Sequence, residues 1–137
     1  MDQRRPIVYV VDDERVIAET LAVILNQAGF SALSFEDPEL ALEAASFEAP
    51  PDMLISDVVM PGMSGIELAI RLQHKYPLCK VLLFSGQAAT ANLLEVSRKQ
   101  GYEFDVLLKP VHPSEFLAKV RAFSPWIEQG RVVKKTA

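Results

Sequence analysis

Two segments of the chain are almost continuously apolar, and acidic residues follow each of them. The first segment is residues 7–11, Ile-Val-Tyr-Val-Val, which lead directly into Asp12 and Asp13. The second is residues 53–56, Met-Leu-Ile-Ser, which lead into Asp57. Continuous rather than alternating apolar residues are typical of strands buried on both faces of a parallel sheet. The pattern therefore predicts two central strands that end in three carboxylates.

The rest of the chain alternates between strand-like segments and segments with apolar residues at helical spacing. Further strands are predicted near residues 31–35, 80–84 and 104–108. Helices are predicted over about residues 16–28, 38–47, 65–76, 89–100 and 113–123. Strands joined by single helices require right-handed crossovers, so we expect an α/β fold with a doubly wound, five-stranded parallel sheet and helices on both faces. The flavodoxin-like strand order 2-1-3-4-5 fits these units.

Local signals mark the ends of three predicted helices. The apolar stripe of the first helix is formed by Val16, Ile17, Leu21, Ile24 and Leu25. Gly29 follows it at the position where a left-handed residue commonly ends a helix. Asp37 precedes Pro38 as an expected N-cap. Ser64 stands three residues before Glu67, which is the spacing of a capping box.

Composition limits the class of protein. The 137 residues are enough for one domain, which we place at residues 5–123, with a partly disordered tail over 124–137. The 14 Lys and Arg against 18 Asp and Glu give a charge of −4, which argues against direct binding of nucleic acid. No segment approaches the length of a membrane span. The single cysteine, Cys79, is expected to be buried near a strand start, and a cytoplasmic location is expected.

Polar side chains follow four of the predicted strands. Asp12 and Asp13 follow the first strand, Asp57 the third, Ser85 the fourth and Lys109 the fifth. Parallel strands of this fold class bind ligands outside their carboxyl ends, so these groups should converge. Two carboxylates about 4 Å apart repel by roughly 4 kcal/mol at an effective dielectric constant near 20. The cluster therefore needs a cation, a shared proton or a large separation of the charges. A divalent cation is the natural answer, and Mg²⁺ suits a site of carboxylates, waters and a phosphate oxygen.

Each of these residues taken alone has a simpler explanation. Asp12 could cap the first helix, Asp57 and Ser85 could form turns, and Lys109 could be a surface charge beside Pro110. These explanations would have to coincide at several strand ends, and the joint pattern favours a functional site. His74 and His112 lack partners at metal-ligand spacing, so we expect them on an exposed helix face and beside a helix start.

The chain resembles a response regulator receiver domain, the phosphoacceptor of two-component signalling. The resemblance runs from about Ile7 to Phe123, and the predicted strand order rests partly on it. It is carried by four motifs: Val-Val-Asp12-Asp13-Glu, Ile-Ser-Asp57-Val-Val-Met-Pro-Gly-Met-Ser-Gly, Phe-Ser85-Gly and Leu-Leu-Lys109-Pro110.

The resemblance implies a role for each residue of the cluster. Asp57 would accept a phosphoryl group from a sensor histidine kinase or a histidine phosphotransfer protein. Asp13, Asp57 and the Val59 carbonyl would ligate Mg²⁺, and Asp12 would act mostly through a coordinated water. Ser85 and Lys109 would contact phosphoryl oxygens, with a cis peptide bond between Lys109 and Pro110. The chain would be a phosphoacceptor that assists its own phosphorylation and dephosphorylation rather than an enzyme.

Two features depart from the family or leave its function open. Val106 stands where many receivers carry the Tyr or Phe that moves with the switch hydroxyl, here that of Ser85. Val59 and Gln87 occupy positions that tune dephosphorylation in relatives. We expect a stand-alone receiver, monomeric or weakly dimeric, that signals by phosphorelay or by protein docking through the fourth helix, fifth strand and fifth helix.

Three other hypotheses are weaker on the sequence. A phosphohydrolase with an aspartyl nucleophile generally needs Asp-x-Asp after its first strand, where this chain has adjacent Asp12 and Asp13. A phosphorylation-independent interaction module is compatible with Val106 but not favoured by intact Asp57 and Lys109. Nucleotide binding is not supported, because the sequence contains no glycine-rich phosphate-binding loop. The spacing of Gly62 and Gly65 alone is interpreted as part of a turn.

Overall fold

The computed structural model describes residues 5–86 and 90–123. Strands and helices alternate in the predicted order. The strands are β1 (Ile7–Val11), β2 (Ser31–Phe35), β3 (Met53–Asp57), β4 (Lys80–Ser85) and β5 (Asp105–Leu108). The helices are α1 (Arg15–Gln27), α2 (Pro38–Phe47), α3 (Gly65–Lys75), α4 (Thr90–Lys99) and α5, which extends over residues 113–123. The predicted start of β5 at Phe104 is one residue early. The predicted start of α4 at Ala89 lies outside the described residues.

The five strands form one parallel sheet in the order β2-β1-β3-β4-β5. The expected fold class and strand order are therefore confirmed. Val11 pairs with Ser56, and Asp57 pairs with Phe84. Ser85 pairs with Leu108. This register brings the carboxyl ends of β1, β3, β4 and β5 to one edge of the sheet.

Alternate residues of the central strands face two separate hydrophobic cores, because side chains alternate across a sheet. Tyr9 and Leu54 belong to the core covered by α2 and α3, together with Leu72 of α3. Val10 and Ile55 belong to the opposite core, covered by α1 and by Phe116 of α5. Burial on both faces explains why β1 and β3 are almost continuously apolar in sequence.

Helix ends follow the local signals. The Asp37 carboxylate accepts a hydrogen bond from the Glu39 N–H at 2.9 Å, as expected of an N-cap. The Ser64 hydroxyl oxygen accepts one from the Glu67 N–H at 3.1 Å, which confirms the Ser64 half of the capping box. Gly29 has φ +105°, the left-handed conformation predicted after α1.

The predicted apolar stripe of α1 is wrong at its first residue. Val16 is 76% exposed, whereas Ala18, Ala22 and Leu25 are buried. Compared with the predicted stripe, α1 is rotated about its axis so that two small alanines face the sheet. Small side chains at these positions allow close packing between the helix and the sheet. The alternative role of Asp12 as helix cap is also excluded, because Glu14 is the N-cap residue and makes no side-chain cap bond.

The remaining minor predictions agree with the structure where it describes them. His74 is exposed, and Cys79 is buried directly before β4. His112 is exposed, and its carbonyl accepts a hydrogen bond from the Phe116 N–H at the start of α5. Within residues 5–86 and 90–123, no helix is long and apolar enough to cross a membrane. Gln87 and the tail, residues 124–137, lie outside the described residues.

Tyr9 predicts an alkaline loss of stability. Its side chain is fully buried and its hydroxyl donates to the Ala49 carbonyl at 2.6 Å. Burial, assisted by the charge of Glu48, raises the pKa of Tyr9 to about 12. A raised pKa stabilises the fold below the unfolded value of about 10, and this contribution is lost as pH rises through the folded value.

We therefore expect the free energy of unfolding to fall between about pH 10 and about pH 12, with Tyr9 responsible for about 3 kcal/mol. Tyr9→Phe should be less stable at neutral pH by about 1 kcal/mol but should show a flatter alkaline profile. Urea unfolding at several pH values measures both effects. Tyr102→Phe, at a half-buried ring, is the control, and parallel profiles for Tyr9→Phe and the wild type would contradict the prediction.

Candidate functional site: an acidic cluster with a lysine

The carboxyl edge of the sheet holds the predicted cluster of acidic residues. Asp12 and Asp13 follow β1, and Asp57 is the last residue of β3. One carboxylate oxygen from each of these three residues lies within 4.8 Å of the other two. The sequence prediction that residues from distant segments converge here is confirmed for all three.

Asp12 is the most buried member of the cluster, with 1% of its surface exposed. Its N–H donates to the Phe35 carbonyl at 3.1 Å, and its Oδ1 accepts from the Glu14 N–H at 2.9 Å. Its Oδ2 receives no hydrogen bond from the residues that the structure describes. A buried carboxylate oxygen without a donor is costly, so this atom is available to a cation or to water bound to one.

Burial raises the pKa of Asp12 above its usual range. The Glu14 N–H opposes this rise, the charge of Asp57 adds to it, and Lys109 lowers it. The ionised form of Asp12 is therefore less favourable in the folded protein than in the unfolded chain.

Lys109 provides the positive charge of the site. Its Nζ lies 3.3 Å from Oδ2 of Asp57 and 3.9 Å from Oδ2 of Asp12. Its backbone N–H donates to the Ser85 carbonyl at 2.9 Å, and its peptide bond to Pro110 is cis, as the resemblance implied. The lysine therefore bridges the two buried carboxylates while its backbone is fixed to the end of β4.

The other predicted site residues lie in β4, in β5 and after β3. Ser85 is buried at the end of β4, and Val59 follows β3 in an exposed position. Val106 is half-buried in β5, pairs with Leu83, and packs against the core on the α3 side. Ser85 thus lies at the end of β4, Val59 two residues after Asp57, and Val106 three residues before Lys109.

Sequence reasoning missed two residues that hold Asp57. Ser56 is fully buried, and its hydroxyl donates to the Asp57 carbonyl at 2.8 Å. Gly65 is the first residue of α3, as the predicted helix bounds require, but its position against the backbone of Asp57 was not predicted. A glycine inside the spacing of a capping box was the available signal, since glycine is a poor helix former.

The three carboxylates fit a magnesium ion. Mg²⁺ prefers oxygen ligands and retains several waters, and the cluster offers an oxygen without a donor on Asp12 and an exposed carboxylate on Asp13. Asp12, Asp13 and Asp57 would be the residues that hold it. The geometry of the described atoms is thus compatible with a metal site open to solvent on one side.

The sequence model of the response regulator receiver domain matches residues 8–121. The chain therefore belongs to the response regulator receiver domain family of two-component systems. Members of this family are signalling phosphoacceptor domains that bind Mg²⁺ in an acidic pocket and interact with histidine kinases or phosphotransfer proteins.

Similar proteins include two transcriptional regulators of Escherichia coli K12. The chain is 36% identical over 127 residues to the DNA-binding transcriptional regulator NtrC, an alignment of 92% of this chain and 26% of that protein. It is 38% identical over 121 residues to the transcriptional regulatory protein CreB, covering 86% and 50%. The chain thus spans about a quarter to a half of the length of these relatives.

Among solved structures, a CheY-like response regulator receiver domain protein from Methanospirillum hungatei JF-1 has the same fold. The TM-score is 0.80, with 92% of this chain and 98% of that chain covered and 22% sequence identity. At this identity the likeness establishes the fold.

Replacement of Asp12 should have opposite effects on the stability of the metal-free protein and on its stabilisation by Mg²⁺. Asp12→Asn should raise the free energy of unfolding of the metal-free protein at pH 7 by about 1 kcal/mol, because it removes a buried charge that Asp57 repels. The same variant should gain less stability than the wild type when Mg²⁺ is added. Urea unfolding with and without Mg²⁺ measures both quantities.

Asp13→Asn is the matched control, because Asp13 is exposed. Its metal-free stability should stay within about 0.5 kcal/mol of the wild type, while its stabilisation by Mg²⁺ should also fall. A metal-free Asp12→Asn variant less stable than the wild type would show that the ion pair with Lys109 outweighs the burial of the charge.

Proposed function

We propose that this chain accepts a phosphoryl group on Asp57 from a sensor histidine kinase or a histidine phosphotransfer protein. The observation that carries the proposal is the distance of 3.3 Å between Lys109 Nζ and Oδ2 of Asp57, within a cluster of three carboxylates. A cation beside the acceptor carboxylate can neutralise the negative charge of that carboxylate before the reaction. It can then pair with the phosphoryl oxygens as the phosphoryl group is transferred. A purely structural ion pair would not require Asp12 and Asp13 beside it.

In the proposed reaction, a carboxylate oxygen of Asp57 attacks the phosphorus atom of a phosphohistidine. The new O–P bond forms as the P–N bond breaks, and the imidazole nitrogen leaves with the electron pair. Attack by an anion on an anionic group requires charge neutralisation in the transition state. Lys109 supplies one positive charge, and as a compact ammonium it can move with the developing oxyanion.

Asp12, Asp13, Asp57 and the Val59 carbonyl are the proposed metal ligands, with Asp12 acting mostly through a water. Bound Mg²⁺ would neutralise charge on the carboxylates and on the phosphoryl oxygens. Ser85, buried at the end of β4, is proposed to donate its hydroxyl to a phosphoryl oxygen. The same groups would assist hydrolysis of the acyl phosphate, and aliphatic Val59 has no polar side chain with which to orient the attacking water.

The proposed output is protein docking or phosphorelay through the face formed by α4, β5 and α5, with the chain acting as a cytoplasmic receiver that is monomeric or weakly dimeric. Three apolar side chains support this face: Leu93 is 43%, Val96 is 55% and Leu108 is 74% exposed. The charge of −4 does not favour direct contact with nucleic acid. The domain limits that we propose remain residues 5–123, with a tail over 124–137.

Val106 favours a second candidate, a receiver-like module whose binding does not depend on phosphorylation. The half-buried valine is β-branched and has restricted side-chain rotation. It therefore cannot make the movement that the aromatic residue at this position makes in many receivers. In this case partner binding would be unchanged by Asp57→Ala and by beryllofluoride, which mimics the acyl phosphate. The phosphoacceptor hypothesis requires both to change it.

Phosphorylation of Asp57 is tested directly with acetyl phosphate. The wild type should gain the mass of one phosphoryl group in the presence of Mg²⁺, and the gain should be lost with a chelator and in Asp57→Ala. Intact-protein mass spectrometry measures the change. Asp105→Asn, at an exposed carboxylate in β5, is the control and should be phosphorylated normally. A folded wild type that gains no phosphate with Mg²⁺ would refute the proposal.

Lys109 is tested by its loss. Lys109→Met should lower the phosphorylation rate by about 10²-fold, because it removes a preorganised positive charge from the site. The matched control is Lys119→Met, which removes the lysine that pairs with Asp105 at 3.7 Å. The rate of mass gain at saturating acetyl phosphate measures both, and equal rates in the two variants would exclude a catalytic role for Lys109.

A further inference from the structure

The start of α3 lies against the backbone of the phosphoacceptor residue. A Cβ atom on Gly65 would come well within 3.0 Å of the Asp57 carbonyl oxygen. It would also lie 2.8 Å from the Ser56 hydroxyl oxygen and 2.9 Å from the Asp57 carbonyl carbon. Two of these three atoms belong to the main chain, so no side-chain rotation can relieve the overlap. Gly65 is therefore required by space at this position.

Conformation does not explain the glycine. The described glycines with positive φ are Gly29, Gly62 and Gly101. Gly65 is absent from this group, and its backbone is that of the first residue of a helix. Alanine would be the better residue there by helix propensity. The close approach to Asp57 is the feature of the structure that excludes it.

Hydrogen bonds fix the same contact from both sides. The Gly65 N–H donates to the Val58 carbonyl at 2.9 Å, and the Val58 N–H donates to the Phe84 carbonyl at 3.1 Å. The buried Ser56 hydroxyl donates to the Asp57 carbonyl at 2.8 Å. The peptide that follows Asp57 is thus held between β4, the Ser56 hydroxyl and the first turn of α3.

We propose that Gly65 and Ser56 are positioning residues for phosphoryl transfer, which set the place of the Asp57 carboxylate relative to Lys109 and the metal ligands. The inference rests on the proposed function of Asp57. A Cβ at residue 65 must displace either α3 or the Asp57 carbonyl. Displacement of that carbonyl moves the Cα of Asp57 and therefore its carboxylate, whose Oδ2 lies 3.3 Å from Lys109 Nζ. Misplacement by about 1 Å can lower a rate by about 10²-fold.

The experiment compares two glycine-to-alanine variants. Gly65→Ala should bind Mg²⁺ more weakly and should lower the maximal rate of phosphorylation by acetyl phosphate by about 10–100-fold. In the metal-free protein, the NMR signals of the Asp57 and Val58 amides should shift. Gly29→Ala is the control, because φ +105° makes alanine strained there while no atom lies within 4 Å of the added Cβ. It should lose stability without change in Mg²⁺ affinity, maximal rate or these two signals.

Urea unfolding of both variants separates positioning from loss of folded protein. Equal losses of Mg²⁺ affinity and rate in Gly29→Ala and Gly65→Ala would overturn the inference, and so would a folded Gly65→Ala with wild-type values. If Gly65→Ala does not fold, Ser56→Ala decides. That variant removes only the hydroxyl at 2.8 Å from the Asp57 carbonyl and should show a smaller loss in the same direction. Wild-type values for Ser56→Ala would then overturn the inference.

Failure of the proposed function has a different signature. A wild type that binds Mg²⁺ but gains no phosphate would refute phosphoryl transfer to Asp57. The Mg²⁺ affinity and the amide signals of Gly65→Ala would still show whether Gly65 and Ser56 position the carboxylate.

Discussion

Repulsion among carboxylates at the end of the sheet is the constraint on which the structure depends. Asp12, Asp13 and Asp57 approach to within 4.8 Å, and a pair of unit charges at about 4 Å repels by roughly 4 kcal/mol at an effective dielectric constant near 20. Lys109 offsets part of this repulsion, because its Nζ lies within 4.0 Å of both buried carboxylates. Burial raises the pKa of Asp12, and the charge of Asp57 adds to this rise while Lys109 opposes it. A second cation would therefore stabilise this edge.

Burial and hydrogen bonding in the rest of the fold offset the destabilising repulsion among the carboxylates of the site. β1, β3 and β4 are buried on both faces, and each provides hydrogen-bonded backbone up to the residue before the cluster. The acidic residues thus stand at the ends of the most firmly held elements. Sites built at the ends of strands hold their geometry more precisely than sites on loops. Because of this placement, the cluster can stay ordered although its charges destabilise the fold.

The cluster is predictable from the sequence because it depends on local patterns, namely the apolar strands and the polar residues that follow them. Continuous apolar runs identify the buried strands, parallel connections fix which ends meet, and the polar residue after each strand is then read directly. Val16 was misassigned because helix phase depends on which side chains the sheet accommodates, here the alanines Ala18 and Ala22. The close approach of Gly65 to Asp57 is not predicted, because it depends on how α3 packs against the backbone of β3. Neither distance nor rotation between elements is encoded in the pattern of a single segment.

Two main-chain contacts connect the site to β5 in this chain. The Lys109 N–H is bonded to the Ser85 carbonyl at 2.9 Å, and Ser85 pairs with Leu108. In the proposed reaction, Ser85 and Lys109 both contact the phosphoryl group, so a movement of either is conveyed to the other through this bond. Leu108 is 74% exposed and would move with them at the surface. A valine at position 106 does not block this connection, because the connection runs through main-chain hydrogen bonds rather than through a rotating side chain.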